Sequence, residues 1–147
     1  FSAFTIEANY NRDMTAYNIP FTVCHELSHL RGFMQEEEAN FIAFLACIQS
    51  EQTAFQYSGY LSAWIYCMNA LYDTDYDTWS TIRSQLALSV EADLTANREF
   101  WASYDGILEE ISTQVNDTYL KINGQDSGVQ SYDMMVELTV AYFKDKI

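Results

Sequence analysis

The chain has two histidines, and they stand four residues apart, at His25 and His29, with Glu26 beside the first. Positions i and i+4 share one face of a helix, so His25 and His29 can put two imidazoles on one metal ion. Glu26 sits about 100° round the same helix. It is near enough to act on a water at that metal, and it is not placed as a third ligand. H-E-x-x-H is therefore a spacing that suits zinc-assisted hydrolysis, with the glutamate as general base. The bland alternative is a pair of core histidines, with Glu26 paired to an arginine such as Arg31.

Zinc in such a site takes a third protein ligand and leaves a position open. Three glutamates follow at Glu36, Glu37 and Glu38. On a straight helix Glu36 would return to the face of His25 about 16 Å along the axis, beyond the reach of one ion. The chain must turn back, and Gly32-Phe33 is where it can. A second helix would then pack against the first through its small residues Ala39, Ala43 and Ala46. Glu36, Asn40, Ala43 and Cys47 form one stripe of that helix, with an acid at its open end. Asn40 would support a ligand histidine or Glu36 by hydrogen bonding. Glu38 is the alternative ligand, and Glu37 is expected to face solvent.

The elements that must hold these residues read as helices. Alternation from Phe4 to Tyr10 predicts one short strand with a buried face, an edge along which an extended peptide could pair. Asn11-Arg12-Asp13 reads as a turn. Pro20 opens a helix that Gly32 stops. Further helices are predicted at about 36–52, 57–72, 76–87, 90–104, 107–122 and 129–144. The helix at 57–72 carries Tyr60, Trp64, Cys67 and Leu71 on one stripe. The polar run Asp73 to Asp77 breaks it. The result is one mainly α domain over 1–147, with a strand and lead-in at 1–17, a helix pair carrying the site at 18–52 and a helical bundle at 53–147.

Composition limits the partners. Apolar residues make up 49% of 147 positions, enough for a core. Net charge is −14, which repels phosphate backbones and argues against nucleic acid. Cys24, Cys47 and Cys67 are an odd number at wide spacing, read as buried, unpaired thiols. Cys24 points about 100° from His25 and Cys47 lies about 16 Å along its helix, so neither is expected to ligate. A tyrosine is expected to steady the developing oxyanion, with Tyr132 first and Tyr57 and Tyr60 next. The start at Phe1 reads as a fragment of a longer protein.

At the same residues the sequence resembles known families. "EEEANFIAF" resembles the E-x-E-A-N-x-F-A segment after H-E-x-x-H in repressor-cleaving peptidases of the ImmA/IrrE type. It is also similar to the E-x-x-x-D segment of membrane-embedded prenyl-protein endopeptidases. Both resemblances imply Glu36 as third zinc ligand and Asn40 as its support. Along nearly its whole length the chain resembles a bacterial family known as domain of unknown function 3810. The stretches include "EANYNRDM", "PFTVCHELSHLRGF", "YSGYLSAWIYCMNAL" and "DLTANREFWASYDG". That resemblance implies a bacterial metallopeptidase and no known substrate; with the H-E-x-x-H reading it gives the expectation of a zincin-like, gluzincin-like domain acting on a peptide or protein. It also implies membrane-spanning helices before this domain, which would then lie outside the bacterial cytoplasmic membrane. A non-catalytic zincin-fold sensor or binding module is the competing expectation.

Overall fold

The computed structural model describes residues 2, 4–104 and 131–144. These residues form six helices: α1 (Asn18–Leu30), α2 (Glu36–Gln49), α3 (Thr53–Thr74), α4 (Tyr76–Ser84), α5 (Leu88–Ala102) and α6 (Ser131–Lys144). The mainly α architecture expected from the sequence is what the chain adopts. The predicted helix at 107–122 and the loop from Gly124 to Gly128 lie outside the described residues. No described helix is long and apolar enough to cross a membrane.

The expected strand is not formed. Residues 4–6 are a turn, closed by Ile6 N–H donating to the Ser2 carbonyl at 2.8 Å. An isolated bridge joins Ser2 and Glu7, and Ile6 takes a positive φ of 56°. Phe4 and Ile6 are exposed rather than packed. The alternating side chains have no sheet to lie on among the described residues, so the alternation buries nothing. The edge that was expected to take a peptide is absent with it.

α1 packs on α2 and α3, and α6 covers the other side of α2 and α3. Phe44 is the centre of this arrangement, fully buried and ringed by Tyr142 and Phe143 of α6. Burying one such side chain contributes roughly 1.5–3 kcal/mol. Two small residues of α3 let the helices meet. Ser58, fully buried, accepts from the Phe21 amide at 3.0 Å and donates to the Tyr17 carbonyl, so one hydroxyl serves both backbone groups in the first turn of α1. Gly59 faces α2, where an added Cβ would come within 2.6 Å of the Cys47 Cβ.

The same packing corrects two readings of α2. Ala39 and Ala43 are buried as expected, but Ala46 is exposed. Glu37 is buried rather than solvent-facing. It shares a face with Phe41 and Phe44, and α6 covers that face.

α5 is tied across the front of the bundle. Tyr57 donates to Asp93 at 2.5 Å, Asn18 donates to Asn97 at 2.6 Å, and Arg83 pairs with Glu91. At the α3–α4 break, Asp75 caps the new helix by accepting from the Thr78 amide at 3.0 Å.

Gly59→Ala tests the close approach of α2 and α3. Alanine is the better helix former by about 1 kcal/mol. Its methyl would nonetheless force backbone-level displacement, and overpacking of this kind costs about 1–3 kcal/mol. Denaturant unfolding should therefore show net destabilisation; a variant as stable as the parent would refute the packing described.

Candidate metal centre

The turn after α1 builds the site. Gly32 has φ of 96°, which an L side chain resists. The Gly32 amide donates to the His29 carbonyl at 3.0 Å and the Phe33 amide to the Ser28 carbonyl at 3.2 Å. These two bonds close the helix in a Schellman motif and reverse the chain. Phe33 is thereby set so that its carbonyl accepts from His29 Nδ1 at 2.7 Å. A carbonyl only accepts, so Nδ1 carries the proton and the neutral ring offers a bare Nε2.

α2 then starts at Glu36, directly opposite. His25 Nε2 lies 3.0 Å from His29 Nε2 and 3.1 Å from Glu36 Oε2, and His29 Nε2 lies 3.5 Å from Glu36 Oε1. His25, His29 and Glu36 are the one set of at least three potential metal ligands among the described residues. Bonds of about 2.1 Å in a tetrahedral zinc site place ligand atoms about 3.4 Å apart. The observed separations fit that size, and the donor set of two imidazoles and a carboxylate suits zinc. His25 Nδ1, buried, has no hydrogen-bond partner among the described residues, so only one of the two histidines has its orienting bond.

Charge binds the cluster together without a metal. Glu36 is held down to about 2, first by its bond to His25 and then by that to His29. His29 is pushed up, chiefly by Glu36 and against its own burial. The position of Glu36 in the first turn of α2 also puts its carboxylate at the positive end of that helix.

The other expected residues fall as follows. Glu26 lines a cleft of about 470 Å³ that also contains His25 and Asn40. Glu38 is exposed and outside the cluster. Asn40 stands on the cleft wall, but none of the hydrogen bonds among the described residues joins it to His25, His29 or Glu36. Tyr57 is engaged with Asp93, and Tyr60 is exposed beside Phe44, so neither lies in the cleft. Tyr132 is the second residue of α6, and its side chain lies outside the described residues. Tyr66, which no spacing signal marked, does line the cleft. It faces the site because α3 packs on α1, which only the tertiary fold determines.

The three cysteines are unpaired, as expected, although only Cys47 is fully buried; Cys24 and Cys67 are half-buried. Cys24 and Cys47 meet across the α1–α2 contact, which the sequence did not reveal. Hydrogen bonding to Cys24, and then burial, pushes the Cys47 thiol up, so it stays protonated. Neither belongs to the ligand cluster.

The chain belongs to the family described as "Protein of unknown function (DUF3810)", which matches residues 1–140. No curated protein and no solved structure is significantly similar to it.

The pH dependence of the cluster gives a test. Glu36 is lowered from 4.5 to about 2, so its contribution is present above 4.5 and lost as pH falls towards 2. His29 is raised above 6.5, so its contribution is present below 6.5 and lost as pH rises through its raised value. Metal-free protein should therefore lose stability above neutral pH. The Tm gain on adding zinc should grow over the same range, because zinc displaces protons from the ligands. Glu36→Gln should flatten both trends. An equal zinc-induced gain at about pH 5.5 and about pH 8 would contradict the ligand assignment.

Proposed function

We propose that this domain is a zinc-dependent peptidase, with His25, His29 and Glu36 as the metal ligands and Glu26 as the general base. The observation that carries the reading is the convergence of two ring nitrogens and one carboxylate beside a cleft whose wall contains Glu26. Bound there, zinc would acidify a water molecule and polarise a peptide carbonyl.

The residues do the rest. His29 is held by the Phe33 carbonyl with Nε2 towards the cluster. Glu26 accepts the proton from the attacking water and returns it to the leaving amine nitrogen. Tyr66, on the same cleft wall, is the tyrosine we assign as donor to the developing oxyanion. The presence of Glu26 in the cleft favours this reading over a non-catalytic zincin-like sensor, which has no use for a base there. We keep with it the expectation, drawn from the family resemblance, of an extracytoplasmic domain on a membrane-anchored protein; peptide or protein substrates follow from the peptidase reading itself.

Glu26→Gln should retain zinc at the parent stoichiometry while cleavage of a peptide library falls by about 10²–10⁴-fold. His25→Ala should lose both zinc and cleavage. Undiminished cleavage by Glu26→Gln would remove Glu26 from the mechanism.

A further inference from the structure

The cleft that begins at His25 and Glu26 continues past α1 and α3 to Trp101 on α5, and side-chain amides mark its course. Asn18, Asn40, Asn69 and Asn97 all line it. Glu26 is the only Asp, Glu, Lys or Arg among its described lining residues, in a chain with 28 such residues by the counts of 21 acids and seven bases.

The amides at the far end are pre-set. Asn18 Nδ2 donates to Asn97 Oδ1 at 2.6 Å and to Thr15 Oγ1 at 3.0 Å. Thr15 Oγ1 donates to the same Asn97 oxygen at 3.2 Å. The network occupies Asn97 Oδ1 twice and uses Asn18 as donor. It leaves Asn97 Nδ2 to donate and Asn18 Oδ1 to accept. Asn69 is exposed on α3, and its side chain makes none of the hydrogen bonds among the described residues. Trp101, 43% exposed, supplies an apolar face beside them.

Free amide donors next to free amide acceptors complement the C=O and N–H of another amide. At this end the described lining residues carry no charge, so a charged group would exchange water for amides and not for a counter-charge, which is costly. The volume of about 470 Å³ falls within the roughly 300–1,000 Å³ usual for a ligand pocket.

We infer that the Asn69–Asn97–Trp101 end of the cleft is a substrate subsite that binds an extended peptide through amide–amide hydrogen bonds and selects an uncharged residue there. The inference rests on the peptidase reading for its substrate class. It adds the residues that choose among peptides. Asn69 is the specificity-determining position, because it is exposed and free of structural bonds. Asn97 is the pre-oriented anchor.

Calorimetry on Glu26→Gln protein loaded with zinc tests it. The probes are end-blocked hexapeptides that differ only in a central Asn, Lys or Glu, with an N-acetylglucosamine trisaccharide for comparison. The Asn peptide should bind at least about 10-fold more tightly than the Lys and Glu peptides. Asn97→Ala should weaken it by about 10-fold, the size of one net hydrogen bond. Asn69→Glu should shift preference to the Lys peptide, an effect that a merely structural role could not produce. The inference falls if charged and uncharged peptides bind equally, if Asn69→Glu leaves the preference unchanged, if only the trisaccharide binds, or if no probe binds. Binding as expected without any cleavage by the parent protein would refute the peptidase reading and leave the subsite standing. Cleavage indifferent to these substitutions would do the reverse.

Discussion

The bond from His29 Nδ1 to the Phe33 carbonyl is the constraint on which the site depends. It exists because Gly32 takes a left-handed conformation and closes α1 in two backbone bonds. A side chain at that position would meet no neighbour within 4 Å, so the demand for glycine is conformational and not steric. For other residues the left-handed conformation costs roughly 1–2 kcal/mol. One turn thus ends the first helix, fixes the tautomer of His29 and aims the second helix so that Glu36 arrives opposite both histidines.

The turn alone would leave α2 free to swing. The core behind it removes that freedom. Phe44 anchors α2 against α6, Gly59 lets α3 approach within van der Waals contact, and Ser58 stitches α3 to the first turn of α1. The candidate metal centre lies at the mouth of this arrangement, and a partly exposed Glu36 closes it. The convergence of the three side chains therefore depends on packing some distance away. The cost of bringing two imidazoles to 3.0 Å is met by the Glu36 charge when no metal is present.

The sequence revealed what depends on local periodicity and on glycine. The histidine spacing, the stop at Gly32, the helix pair and the choice of Glu36 over Glu38 all rest on short-range geometry, and the structure brings those residues together. What failed depended on partners distant in sequence. The Phe4–Tyr10 alternation looks like a strand, but a strand needs a neighbour, and here the segment turns on itself. Glu37 looked solvent-facing until α6 covered its side of α2. Tyr66 and the amides of α3 and α5 carry no motif at all. They become a cleft only when α5 is tied down by Asn18 and Tyr57.

This turn and this core bring two imidazoles and one carboxylate to one point, a donor set suited to zinc. X-ray absorption at the zinc edge of the loaded protein addresses it directly. Zinc held by His25, His29 and Glu36 should show a shell of nitrogen and oxygen only, at about 2.0–2.2 Å, with outer scattering from two imidazole rings. A sulfur scatterer at about 2.3 Å would bring Cys24 or Cys47 into the coordination and contradict it, as would a shell lacking imidazole.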